Sequence, residues 1–462
     1  MQDAIHGAEE LAHRYDYIVG DDGSVTDTFA GKEPPPEMHP EDRARAHDQV
    51  VADLQQAART AEDIDNDLAT VFDRAAQGGF SPGGATTVAA AAATGAADLG
   101  LTLPPPPPDA TPAQNAAWWA TLSPAGKALY LQGNPEQVGS LDGLPATARN
   151  DANHIVLDRT RAGLLDERAT LEQELKRYQG APLALQQPLF ARIDKIDKLV
   201  AGIDQITQRV DHPRPGQPPA YILGIDSKNA GHAIIAVGNP DTSSNVATYV
   251  PGTTAGLDGV NTDIYRADAM AASAGRAGSP STSVIMWAGY DAPQDLGEAA
   301  STSYADKAEP SLHRFQEGLN ASHSPEPMTK TVLGHSYGTT VVGQTARDMG
   351  LSADRLVMVA SPGIGVEHAR DLKLDGVPSD QVGDRLYSTE AATDPIPLAT
   401  NFRSPATDNV DPLGPDPTMP WFGGHSFESD PGSPISSHGD YWNRDSRSLR
   451  SIGSLIAGGR PN

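Results

Sequence analysis

The chain has 462 residues, with 34 Lys and Arg against 60 Asp and Glu, a formal net charge of −26 and no cysteine. Such a field repels a phosphate backbone and an anionic membrane surface, so nucleic acid is not an expected partner; the absent thiols exclude disulfides, thiolate catalysis and Cys-ligated metal. No apolar run approaches the roughly 18 residues that a bilayer span requires, so no integral membrane segment is expected.

The first residues, Met1 to Glu10, lack a basic stretch followed by an apolar one, so no ordinary signal peptide is expected. Proline-rich breaks at Pro34 to Pro36, Pro104 to Pro108 and Pro213 to Pro219 favour extended spacers and stop helices. They predict three regions: a helical, Ala-rich region over 1–108 that ends in a proline linker, a helical region over 109–219, and an α/β region over 220–462.

In the first region Val50, Leu54, Ala57, Ala61, Ile64, Leu68 and Val71 recur at helical spacing, which predicts a helix from about Pro40 to Ala76. Ala85 to Ala97 reads as a second helix with little to bury. In the second region Ser123 is placed to cap a helix that has Pro124 at its first position. Arg161 to Gln179 and Pro188 to Val210 read as two helices broken at Gly180-Ala181-Pro182, an antiparallel αα-hairpin that serves as a lid, a docking arm or a structural cap.

From Ala220 onward short apolar runs predict strands at Ala220 to Gly224, Ala233 to Val237, Ala247 to Val250, Val284 to Ala288, Met328 to Leu333, Leu356 to Ala360 and Arg385 to Thr389. Several are apolar throughout, as strands covered on both faces are. The first runs lie too close for intervening helices, so the sheet should open with antiparallel strands and continue mostly parallel.

Between a predicted strand and a predicted helix (Thr339 to Met349, closed by Gly350) stands Gly334-His335-Ser336-Tyr337-Gly338. Strand, tight turn with serine at its apex, and helix make the nucleophile elbow of an α/β-hydrolase. A serine hydroxyl needs a base to take its proton and an acid to orient that base, in the chain order Ser, Asp or Glu, His. Asp394 follows a strand end within Ala392-Thr393-Asp394-Pro395, ahead of Asp375, Asp384 and Asp408. Downstream of it stand only His425 and His438, and His438, just before the last predicted helix (about Asp440 to Ala457), is the preferred base.

An oxyanion requires two N–H donors. Tyr337, after the nucleophile, supplies one. The other comes from Thr253 or Thr254 in the Gly/Thr loop that follows Tyr249-Val250. Asp291, in Trp287-Ala288-Gly289-Tyr290-Asp291, opens at the same sheet edge as a substrate contact or rival acid. Thr254 and His335 are further candidate substrate contacts, although the elbow should aim the His335 side chain away from the catalytic groups. No cofactor or metal is called for.

These motifs together (YVPGT at Tyr249 to Thr253, WAGYDAP at Trp287 to Pro293, GHSYGTT at Gly334 to Thr340, SPG at Ser361 to Gly363, TDPIP at Thr393 to Pro397, HGDYW at His438 to Trp442) resemble an actinobacterial α/β-hydrolase family formerly catalogued as a domain of unknown function. The likeness extends upstream to Trp118-Trp119 and to Gly139 to Pro145 with Arg149, Asn150 and Asn153. It implies Ser336, Asp394 and His438 as the triad. The segment before Ala110 resembles helical N-termini found around type VII secretion systems.

The expected function is that of a serine hydrolase of carboxylesterase type acting on a small-molecule or lipid-like ester. The alternative is a secretion-associated protein that binds a protein partner through its N-terminal helices and carries a vestigial hydrolase domain. The expected location is cytoplasmic, with export by a type VII-like route as the other possibility.

Overall fold

The computed structural model describes residues 2–20, 23–29, 40, 43–55, 104–178, 180, 182–323, 327–396, 413–433 and 436–462. Of the stripe expected over Val50 to Val71, the part from Ala57 onward lies outside them, as do the helix expected over Ala85 to Ala97 and Asp408. The chain forms two units, residues 1–104 with 123–128 and residues 105–122 with 129–462.

In the first unit, helix α1 (Gln2–Arg14) precedes a hairpin of β1 (Tyr17–Val19) and β2 (Val25–Asp27). Ala8 and Ala12 pack with Tyr17 and with Val50 of the helical stretch 43–55. Arg43 grips Asp27 with two hydrogen bonds of 2.6 and 3.0 Å and lies 4.4 Å from the Tyr17 ring centroid.

The second unit is built on an eight-stranded sheet of order β10-β9-β8-β7-β5-β6-β4-β3. Its strands are β3 (Ala220–Asp226), β4 (His232–Val237), β5 (Asn245–Val250), β6 (Thr282–Ala288), β7 (Thr329–His335), β8 (Arg355–Val359), β9 (Leu386–Thr389) and β10 (His425–Ser426). The six strands from β10 to β6 run parallel, while β4 pairs antiparallel with β6 and with β3. All six residues of β5 are buried, as a strand covered on both faces requires.

Helix α2 is Pro112–Thr121, α3 is Pro124–Gly133 and α4 is Pro135–Ser140. Thr111 caps α2 in a capping box with Gln114, and Ser123 Oγ accepts the Gly126 N–H at the start of α3. Helices α5 (Ala146–Arg177) and α6 (Leu183–Asp211) form the hairpin. Ion pairs join Arg161 of α5 to Asp204 of α6 and, further along α5, Glu167 and Arg168 to the earlier Arg192 and Asp197 of α6, as an antiparallel arrangement requires.

Both helices are longer than their apolar spacing predicts. The first turns of α5 look polar because they bond to the sheet. Asn150 Oδ1 accepts the Ile222 N–H at 2.9 Å, and Asn153 Nδ2 donates to the Ile222 carbonyl at 3.0 Å. Two side-chain amides thus pair the open edge of β3 where its register shifts at a bulge. Helix α6 starts ahead of Pro188, whose missing N–H leaves the carbonyl of exposed Ala184 to solvent. Ile196, Leu199, Ile203 and Ile206 of α6 join one continuous core with the sheet.

Helices α7 (Val260–Arg276), α8 (Ser303–Ser322), α9 (Tyr337–Asp348) and α10 (Arg447–Ile456) complete the unit. Helix α7 packs on α10 and β6, and α8 packs on α9. The expected helix from Asp440 is split into a 3-10 turn, Ser437–Trp442, and α10, which Ser446 caps by accepting the Leu449 N–H. From β5 the chain passes to β6 on one side, then to β7 on the other. The crevice between the C-terminal ends of β5 and β7 is therefore a topological switch point, where open α/β sheets bind ligands.

Candidate active site

Ser336 stands at that crevice. It connects β7 to α9 with φ +54° and ψ −131°, a conformation that a residue with a Cβ adopts only when its surroundings impose it. They do so here. The Ser336 N–H donates to the Val359 carbonyl of β8, and Thr339 returns both its N–H and its hydroxyl to the Ser336 carbonyl. The flanking glycines serve space, since positive φ is carried by the serine itself. A Cβ on Gly334 would lie 2.6 Å from Thr339 Cα, and one on Gly338 would lie 2.2 Å from the Val250 carbonyl oxygen. Thr339 and Thr340 also reach Ser361 Oγ and the Gly363 carbonyl, which ties the elbow to the loop after β8.

Asp394 and His438 meet although 44 positions apart. His438 Nδ1 lies 3.0 and 2.9 Å from the two Asp394 carboxylate oxygens. With Nδ1 donating, Nε2 is left as the basic nitrogen. Asp394 also accepts the Tyr441 hydroxyl at 2.8 Å and the Ile396 N–H at 3.0 Å. Burial works to raise its pKa, but the hydrogen bond and charge of His438, followed by these two donors, hold the carboxyl below its ordinary value.

Ser336 and His438 line one cavity of about 410 Å³ together with residues 251–255, Asp263, Arg266, Asp295, Leu296, His335 and Ile396. Ser336 Oγ and His438 Nε2 are not hydrogen-bonded in this structure; such bonds are commonly loose without substrate. The Tyr337 N–H, in the first turn of α9, has no intrahelical partner. Gly252 brings the neighbouring loop against it, and a Cβ there would lie 2.7 Å from Ser336 Cβ and 2.9 Å from Tyr337 N. Tyr290 holds this loop by donating to the Pro251 carbonyl at 2.8 Å. The Thr254 N–H is spent on the Pro293 carbonyl at 2.7 Å, whereas the Thr253 N–H has no partner among the described residues.

Three expectations are changed. The His335 ring does not point away: its centroid is 4.7 Å from that of His438, and its Nε2 donates to the His438 carbonyl at 2.9 Å. Burial first, then repulsion from Arg266 and His438, hold His335 well below the ordinary imidazole value, so it stays neutral. Its polar edge thereby anchors the loop that carries His438. Asp291 binds His232 and Asn229 and lines a separate cavity with Tyr290 and Tyr304. His425, expected on a loop, lies in edge strand β10, stacked on Tyr387 and 3.8 Å from Asp384; it does not contact Asp394. Of the other carboxylates weighed, Asp375 and Asp384 contact neither Ser336 nor His438.

Arg266 and Tyr441 were not singled out in the sequence. Tyr441 stands inside the HGDYW motif, whereas Arg266 is one charged residue on a helix and carries no pattern. Among the described residues no group of three or more His, Asp or Glu side chains is arranged to hold a metal ion, and no helix is long and apolar enough to cross a membrane.

Residues 226–402 match the family model described as "Alpha/beta hydrolase". The uncharacterized protein Rv2079 of Mycobacterium tuberculosis is 30% identical over 369 residues, covering 74% of this chain and 55% of that protein. The uncharacterized protein Rv0963c of the same species is 28% identical over 216 residues, covering 44% of this chain and 78% of that protein. The chain thus spans about half the length of the first of these relatives. A solved arylesterase structure aligns with TM-score 0.32 and 12% identity over 62% of this chain and 97% of its own. The strand order, the crossovers through α7, α8 and α9, and the match over residues 226–402 together identify the sheet-containing unit as an α/β-hydrolase fold.

Proposed function

We propose that residues 220–462 carry a serine hydrolase of esterase type. Ser336 attacks the carbonyl carbon of an ester and His438 Nε2 takes the hydroxyl proton. Asp394 holds the imidazole with Nδ1–H toward itself and stabilises the imidazolium. The Tyr337 and Thr253 N–H groups receive the oxyanion. As the tetrahedral intermediate collapses, the imidazolium passes its proton to the departing alkoxide. Water, activated by the same histidine, then releases the acid from Ser336 and restores the serine.

The single observation that supports this most is the contact of His438 with buried Asp394, on a cavity that also holds a serine in a strained turn. A fluorophosphonate probe is expected to label the folded protein on Ser336, and Ser336→Ala to abolish both labelling and hydrolysis of p-nitrophenyl acetate. Absence of labelling, or labelling that survives the substitution, defeats this reading.

A further inference from the structure

Arg266 lines the same cavity as Ser336 and His438. Its Nη1 donates to Tyr249 Oη at 2.9 Å and to Asp263 Oδ1 at 3.0 Å, and its guanidinium carbon lies 4.5 Å from the Trp442 ring centroid. The group is therefore clamped along one edge and over one face. A guanidinium has five N–H donors. Among the described residues Nε and Nη2 donate to nothing, yet neither atom is sealed from solvent. Nη2 approaches a Cβ built on Gly439 to 4.0 Å, so the free edge adjoins the residue after His438. Asp263 occupies only the opposite edge, and burial pushes its carboxyl up against the pull of Arg266.

Resting on the hydrolase reading above, we propose that the ester carries a carboxylate on its leaving-group half, bound by Arg266 through Nε and Nη2. A planar carboxylate matches this pair of parallel donors. The leaving half is indicated because the imidazolium that protonates the departing oxygen is that of His438, and the free edge adjoins Gly439, the next residue. In a chain of net charge −26, long-range attraction cannot draw an anion in; recognition then depends on this one pre-aligned cation.

The test compares matched esters. 3- and 4-acetoxybenzoate carry the carboxylate on the leaving half, with the acetoxybenzamides as neutral partners; mono-p-nitrophenyl glutarate against p-nitrophenyl valerate places it on the acyl half. The wild-type protein is expected to favour at least one acetoxybenzoate over its amide by about tenfold or more in kcat/KM. Arg266→Gln should bring that ratio near one, and Arg266→Lys should leave it between the two. A ratio within one variant cancels damage common to both esters, and fluorophosphonate labelling of each variant reports whether the elbow is assembled. If Arg266→Gln does not label, the ratio in Arg266→Lys decides, and an undiminished value overturns the proposal. It is likewise overturned by equal wild-type rates, by a preference confined to the acyl half, or by a preference that survives Arg266→Gln. Labelling with no such preference refutes this proposal alone, whereas no labelling and no hydrolysis of any ester refutes the hydrolase reading and this with it.

Discussion

Tyr441 donates its hydroxyl to Asp394 Oδ2 at 2.8 Å while its oxygen accepts the Ala391 N–H at 2.7 Å, so one phenol fastens the carboxylate to the backbone of its own loop. His438 precedes it on the same 3-10 turn, and a single short segment supplies both the imidazole and its alignment. Tyr441→Phe should destabilise the protein by about 1–3 kcal/mol at pH 7, since it strands a buried N–H and a carboxylate lone pair. Asp394, held below its ordinary value, contributes stability above the unfolded value near 3.8 and loses it as pH falls through the folded value. The gap between variant and wild type should therefore be widest at pH 7 and shrink toward pH 3 in urea titrations. A gap independent of pH would remove the charged hydrogen bond from the account.

Gly252 is small because the elbow is behind it. A methyl group there would lie 2.7 Å from both Ser336 Cβ and the His335 carbonyl oxygen. Gly252→Ala must push residues 251–254 away from Tyr337, and kcat/KM for p-nitrophenyl acetate should fall by about 10²–10³, the usual effect of losing an oxyanion donor. Gly275→Ala, on α7 with nothing within 4 Å of the new methyl group, is the matched control and should keep its rate. Equal rates in the two variants would show that the loop has no part in the reaction.

The strands were legible because burial on both faces writes nearly continuous apolar runs, unbroken at residues 284–288 and interrupted only by Thr248 at residues 246–250. The turn at Ser336 was legible because glycine on both sides reports crowding whatever the rest of the fold. Chain order and strand ends likewise point to Asp394 and His438. What escaped was whatever depends on contacts between distant segments. Asn150 and Asn153 look like a polar helix face until β3 lies beside them. Arg266 becomes distinctive only once Trp442, Tyr249 and Asp263 converge on it. His335 was misdirected because local turn geometry does not say which loop its ring will meet.

Glu390, directly after β9, has a carboxyl pushed up to about 7 by burial first and then by Asp416 and Asp394. An acid raised in the folded state penalises stability once the unfolded chain ionises. The penalty is absent below about 4.5, grows as pH rises and is complete above about 7. Glu390→Gln should thus match wild type at pH 4 and exceed it at pH 8 by on the order of 2 kcal/mol. Thermal melts at the two pH values test this, and parallel pH slopes in the two proteins would contradict it.

His232 is held between two carboxylates, with Nδ1 3.0 Å from Asp226 and Nε2 2.8 Å from Asp291. Only an imidazolium donates from both nitrogens. Burial works to lower its pKa, but the hydrogen bonds and charges of Asp226 and then Asp291 raise it overall. A raised imidazole stabilises the fold fully below its unfolded value near 6.5, and that contribution is lost as pH rises through the folded value. Asp291→Asn should therefore cost about 1 kcal/mol at pH 6, a modest figure because the pair is partly solvated, and less at pH 9. Since Asp291 lines a cavity apart from Ser336, kcat/KM for p-nitrophenyl acetate should stay within about twofold of wild type. A large fall in rate with unchanged melting would return Asp291 to the substrate, whereas loss of acid-side stability at constant rate makes it the counterion of a structural histidine.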